Sequence, residues 1–258
     1  IDPALTFFNL LNPIAARDNP RQGAVDLFLL TRAVREAPAP FEFDPERVMF
    51  FGHSQGGLTG APFLAAESDL LAASLSGTGG LLRITMVERS IPGNFLGQNL
   101  TFKELAESVL NMRGEEELTE FHPIATVVQT FIEAADPVNY APFLQSSNLT
   151  WDYLHFEGFG DTAAPDRGIE AFAAAAGLPI VEPVEREVEA MTIKGLASAA
   201  SPATANQNGR TMGLVQVQPN HGKDGHFVAF DIPLAYEAWT NFFRTAACTM
   251  RLPVAVDP

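Results

Sequence analysis

The sequence predicts an α/β fold, a mostly parallel sheet flanked by helices and interrupted by a helical insertion. Three observations carry that expectation. Short continuous apolar runs, Arg47–Phe51 and Leu71–Leu75, have the character of strands covered on both faces. They alternate in quick succession with stretches of helical periodicity, which argues parallel units with helices on the sheet. A chain of 258 residues that is 47% apolar is long enough to bury one sizeable core and a small subdomain.

The elements follow in order. Ile1–Pro20 holds three prolines among Asn and Asp and reads as an irregular approach segment. In Arg21–Glu36 the residues Val25, Phe28, Leu29 and Ala33 recur at helical spacing, before Pro38 and Pro40. This predicts a helix whose apolar face lies on the sheet. The run Arg47–Phe51 ends abruptly at Gly52-His-Ser-Gln-Gly-Gly57, from which a second helix should reach Glu67, and Leu71–Leu75 is the next strand. Between Met86 and Gln145 the pattern turns to helices and loops without a clear buried strand; Phe102, Leu105, Val109 and Leu110 make one helical face. Trp151–Phe156 is again a strand, Gly158–Asp161 a turn and Arg167–Ala176 an Ala-rich helix stopped by Gly177. Leu196–Asn208 reads as a surface excursion, Thr211–Gln218 as the last strand and Pro233–Ala247 as the closing helix. The expected organisation is therefore a first core part over 1–85, a helical lid or cap over 86–145 and a second core part over 146–258.

Charge and cysteine content narrow the function. With 31 acidic against 16 basic residues the formal charge is −15, which opposes docking on nucleic acid or anionic lipid and suits a neutral or small substrate. The single cysteine, Cys248, excludes an intramolecular disulfide and any multi-cysteine metal site; its helical surroundings predict a packed thiol. No apolar run approaches the roughly 18 residues of a membrane span, and no charged segment leads into an apolar one at the start. A soluble protein is expected, in a compartment left open: secreted or of the cell envelope should a signal lie upstream.

Gly52-His53-Ser54-Gln55-Gly56 fits G-x-S-x-G, and it sits where that pattern has mechanical meaning, between a predicted strand and a predicted helix. There the serine occupies a strained turn, glycines two before and two after it let strand and helix approach, and the Gln55 N–H at the helix start points toward a developing oxyanion. A serine hydroxyl needs a base, and five histidines are available. His53 should support the turn, while His122 and His155 fall in the insertion and in a strand. His226, in Asp224-Gly-His-Phe227 after the last strand, is the candidate base, with His221 as its rival. The carboxylate that orients it belongs on the loop after the preceding strand, where Asp161 stands; Asp166 reads better as a helix cap, and Asp136 lies in the insertion.

The order Ser54, Asp161, His226, each after a predicted strand, resembles the α/β-hydrolase superfamily, and the resemblance spans nearly the whole chain. Gly-His-Ser-Gln-Gly-Gly is especially similar to bacterial and fungal esterases and lipases, in which the insertion would be a lid. The resemblance implies carboxylic ester hydrolysis through an acyl-enzyme, without metal or organic cofactor. A peptidase or amidase of the same fold and a non-catalytic module that keeps the fold stay open as alternatives. Phe95, Leu96, Phe102 and Phe131 would suit an apolar pocket for a small or lipid-like ester. One departure from the family stands out: only 53 residues precede Ser54, without the His-Gly or Gly-Gly loop that supplies a second oxyanion donor. The expectation is that N-terminal strands lie outside this chain and that an additional segment completes the sheet and the oxyanion site.

Overall fold

The computed structural model describes residues 3–9, 12–38, 40–41, 43–95, 97–112 and 116–249. Helices α1 (Pro3–Phe8) and α2 (Pro13–Arg35) precede β1 (Met49–His53), α3 (Gln55–Leu64) and β2 (Ala72–Ser76). Next come α4 (Leu82–Glu88), an antiparallel ribbon of β3 (Gly93–Phe95) and β4 (Gln98–Leu100), α5 (Phe102–Val109) and α6 (Pro123–Ile132). The chain continues through β5 (Asp152–Gly158), α7 (Asp166–Ala175), α8 (Glu189–Lys194), β6 (Met212–Val217), α9 (Val228–Asp231) and α10 (Pro233–Thr249).

Strands β1, β2, β5 and β6 lie side by side in that order, all parallel. Phe51 stands opposite Ser74, Ser74 opposite Leu154, and Leu154 opposite Gly213. Period-two alternation feeds two cores. On one face Tyr153 and Leu214 pack with Phe63, Leu64, Ile169, Phe172 and Met191 from α3, α7 and α8. On the other, Leu154, Phe156 and Val215 pack with Ala238, Phe242 and Ala246 of α10. Covering both faces is what continuous apolar runs require, and each buried Leu or Phe contributes about 1.5–3 kcal/mol relative to exposure. A third, smaller cluster of Met86, Leu118 and Ala125, with Phe102 and Ala106 against it, joins α4, α5 and α6 away from the sheet.

The sheet has unequal margins. Leu214 N donates to Pro179 O at 2.8 Å and Val181 N to Leu214 O at 2.9 Å, so backbone covers the outer side of β6. The outer side of β1 has no strand partner among the described residues.

The N-terminal expectations need correction. The approach segment is helical: α2 starts at Pro13 and runs through Pro20. Asn12 caps it by accepting the Ala15 N–H at 3.2 Å, and Pro13 sits in the first turn, where a missing N–H costs nothing. Pro20 removes one helical bond but is itself buried. The buried stripe is Pro20, Ala24 and Thr31, resting mainly on α3 rather than on the sheet, whereas Val25 and Leu29 are 49% and 62% exposed. Leucines lie on several sides of this helix, so spacing alone did not single out the packed face. The close approach does: a Cβ at Gly23 would fall 2.6 Å from Thr59 Cγ2.

Smaller differences follow the same logic. β1 runs on through Gly52 and His53, the β3–β4 ribbon falls in the stretch read as helices and loops, and α8 in a stretch to which the sequence pattern assigned no element. Cys248 is exposed, because the buried stripe of α10 passes through Phe242 and Ala246 and leaves position 248 on the far side. Among the described residues no helix is long and apolar enough to cross a membrane.

Candidate active site

Because the four strands are parallel, the segments that follow them emerge at one edge of the sheet, and Ser54, Asp161 and His226 all lie there. Ser54 has φ 54° and ψ −119°, a backbone conformation that costs a non-glycine residue about 1–3 kcal/mol. Its surroundings hold it in place. Ser54 N donates to Ser76 O at 2.9 Å, and its own carbonyl accepts from Gly57 N at 2.8 Å and Thr78 Oγ1 at 3.2 Å. Gly52 is needed for space: a Cβ there would lie 2.9 Å from Gly56 O and 2.7 Å from Leu75 Cδ2. The second tight position is Gly57, where a Cβ would fall 1.8 Å from Thr78 Oγ1; Gly56 faces open space, contrary to the expectation from the motif.

His226 Nδ1 lies 2.8 Å from Asp161 Oδ2, and both residues are about 95% buried. Asp161 Oδ1 accepts from Ala163 N at 2.8 Å and Ala164 N at 2.7 Å, which fixes the carboxylate. An acceptor opposite Nδ1 assigns the ring proton to that nitrogen and leaves Nε2 free to take another. The imidazole packs over Gly77, where a Cβ would be 2.9 Å from Nδ1. Among the described residues Ser54 Oγ has no hydrogen bond to His226. Such contacts commonly tighten only around a bound substrate.

Gly77 and Ser54 also line a cavity of about 120 Å³, walled largely by apolar groups that include Leu58, Met86, Val128 and Ile132. Of the apolar residues expected there, Phe102 lines it and packs on Phe95 at 5.9 Å; Phe131 is exposed elsewhere, and Leu96 lies outside the described residues. Among the described residues no three His, Cys, Asp or Glu side chains converge as a metal ligand set.

No protein-family model and no curated protein matches this sequence. Solved structures do match. An acetyl xylan esterase from Paenibacillus sp. R4 is 16% identical with a TM-score of 0.50, over 95% of this chain and 58% of that one. An acylaminoacyl peptidase from Pyrococcus horikoshii is 13% identical (TM-score 0.48, 91% of this chain, 29% of that one). A puromycin-hydrolyzing peptidase from Mycobacterium tuberculosis is 13% identical (TM-score 0.46, 86% and 25%). The fold is that of the α/β-hydrolases. This chain spans 58% of the length of the esterase and less than a third of each peptidase.

Within this α/β-hydrolase fold the remaining candidates occupy other positions. His221 is exposed. His122 caps α6 by accepting Ile124 N at 3.2 Å. His155 is buried between Tyr153 OH at 2.8 Å and Thr78 O at 2.9 Å. Asp136 is buried and accepts the N–H groups of Leu81, Leu82 and Val138, holding the start of α4. Asp166 does not cap α7; its carboxylate turns back to accept from Gly160 N at 3.1 Å and pairs with Arg186 at 3.0 Å. His53, expected only to support the turn, packs among the rings of His226, Phe227 and Phe230, 4.7 Å from the first. Among the described residues neither of its buried nitrogens has a hydrogen-bond partner, and burial, followed by the field of His226, lowers its pKa to about 4.

Asp224 was missed as a site residue. Its carboxylate accepts His226 N at 2.9 Å and Thr162 N at 3.1 Å and bonds the Thr162 hydroxyl, so it ties the histidine loop to the acid loop. Burial works against its charge, but these bonds outweigh it and the pKa is lowered. An Asp two residues before the histidine, with Gly between, was the visible signal.

Beneath the site, Glu157 of β5 is fully buried beside Gln216 and Arg186, and burial raises its pKa to about 7. A carboxyl raised in the folded state adds stability below its unfolded value, and that contribution is lost as pH rises through 7. Burial holds His53 and His155 near 4, which adds stability that is lost as pH falls through 4, so the two trends oppose one another in between. Glu157→Gln is therefore expected to gain on the wild type by up to about 3 kcal/mol between pH 5 and 8. Urea unfolding across that range checks it, and a constant difference would refute it.

Proposed function

We propose that the protein is a serine hydrolase that cleaves carboxylic esters through an acyl-enzyme. The reading rests above all on one combination: a serine held at φ 54° on the wall of a mainly apolar cavity, with a buried imidazole–carboxylate pair packed on Gly77 of the same wall. Ser54 Oγ attacks the ester carbonyl while His226 Nε2 takes its proton, and Asp161 stabilises the imidazolium. The Gln55 N–H, in the first turn of α3 where no earlier helical carbonyl accepts it, donates to the oxyanion. His226 then protonates the departing alcohol, and water repeats the sequence on the acyl-enzyme. Residues 86–145 serve as the cap, to which Met86, Phe102, Val128 and Ile132 contribute cavity wall; 1–85 and 146–258 form the core. A further segment pairs with the open side of β1 and supplies the second oxyanion donor.

Intact mass after treatment with a fluorophosphonate tests this reading. One adduct is expected on the full protein and none on Ser54→Ala. A well-folded full protein that takes no adduct overturns the reading in favour of a non-catalytic module, and faster turnover of a peptide panel than of aryl esters moves the substrate to amides.

A further inference from the structure

We propose that Arg89 makes this cavity select esters that carry a free carboxylate beyond the scissile group. The choice of esters rests on the reading above; the anion contact itself does not. Arg89 follows α4 and is the one charged residue among the described residues lining the cavity that Ser54 also lines. Its guanidinium lies 5.2 Å from the centre of the Phe102 ring. Nη1 donates to Ala163 O at 3.0 Å, Nε is buried without a partner, and Nη2 has no protein partner among the described residues.

Several other arginines have partners, although Arg83 Nε and Arg210 Nη2 are also buried without one among the described residues. Arg186 pairs with Glu157, Asp166 and Glu170; Arg167 pairs with Glu88 and Glu120; Arg210 donates to the carbonyls of Trp151 and Leu144. Arg89 has no such counter-charge among the described residues. The two carboxylates whose fields reach it, Asp161 and Asp224, spend their oxygens on His226, Ala163, Ala164 and Thr162. The fields of those two carboxylates compensate the half-buried guanidinium only in part, and a carboxylate entering the cavity would offset the remainder through a short, charge-assisted bond to Nη2. The overall charge of −15 disfavours anions at long range, but at 0.15 M salt that effect fades beyond about 8 Å, whereas the guanidinium acts at contact.

Two matched substrate pairs test the proposal on the full protein: the 4-nitrophenyl hemiester of glutaric acid against 4-nitrophenyl valerate, and 3-carboxyphenyl butyrate against phenyl butyrate. In at least one pair kcat/KM is expected to favour the anionic ester by about ten-fold or more. That ratio should fall to about one in Arg89→Gln and be partly kept in Arg89→Lys. Reading a ratio separates selection from loop support through Ala163, because lost support lowers both members of a pair alike. No preference in either pair, or one that survives in Arg89→Gln, overturns the proposal. Calorimetric titration of Ser54→Ala with monobutyl glutarate, with and without Arg89→Gln, gives a readout free of turnover. Binding that disappears with Arg89 supports the anion site even if no ester is cleaved, an outcome that would remove the hydrolase reading alone. Binding indifferent to Arg89, or none, overturns the anion site.

Discussion

Replacing Ser54 with alanine, His226 with alanine, or both at once is expected to lower kcat for a neutral aryl ester by the same factor, on the order of 10⁶. The equality is the informative part. A nucleophile and its base act on one proton in one step, so removing either disables the step and removing the second costs nothing more. Asp161→Asn should cost less, about 10⁴, because it leaves nucleophile and base in place. Its amide can present N–H to His226 Nδ1 and so favour the wrong tautomer. Steady-state kinetics on the four variants, with thermal melts to show that each is folded, provide the check. Multiplying effects in the double variant would mean that Ser54 and His226 serve different steps, and an unaffected His226→Ala would move the base elsewhere. His53 is the natural candidate in that event, since its ring lies 4.7 Å from that of His226. Its pKa near 4 keeps it neutral at pH 7.

The features that could be read from the sequence are those set by local rules. Two strands were visible as the short runs Arg47–Phe51 and Leu71–Leu75; β2 is buried throughout, whereas in β1 only Gly52 is fully buried and the run showed because its exposed and half-buried positions are apolar too. The serine turn was visible because the close approach of strand and helix demands a glycine at position 52, and Asp161 and His226 stood out as an acid and a histidine on loops after strands. What escaped depends on contacts made far along the chain. Asp224 has meaning only once Thr162, 62 residues earlier, is beside it, and Arg89 only once Ala163, 74 residues later, is. The packed face of α2 and the exposure of Cys248 were misjudged for a related reason. Periodicity shows that a helix has an apolar side, but the neighbour decides which residues on it are covered, and α2 rests on α3 through Gly23.

Gly225→Ala should be the most damaging of the conservative changes away from the reacting atoms. A Cβ at Gly225 would lie 2.4 Å from Phe159 O and 2.5 Å from Gly158 O, and the reciprocal Cβ at Gly158 would lie 2.0 Å from Gly225 O. These are backbone atoms at the end of β5, and they lack the freedom of a side-chain tip to move aside. Neither glycine has positive φ, so the requirement is one of space rather than of conformation. The crossing is where the segment leading to Asp161 touches the segment leading to His226, and it is expected to set the 2.8 Å contact between them. Parting the two segments by about 1 Å is expected to cost about 10²-fold in kcat/KM. Strain from overpacking should take a further 1–3 kcal/mol, roughly, from stability. Gly158→Ala should do comparable harm, and because one separation relieves both clashes, the double variant should cost less than the sum of the two. Kinetics and urea unfolding on the three variants decide it. A Gly225→Ala enzyme with wild-type kcat/KM would show that the two loops are placed by the Asp224–Thr162 bonds and not by this crossing.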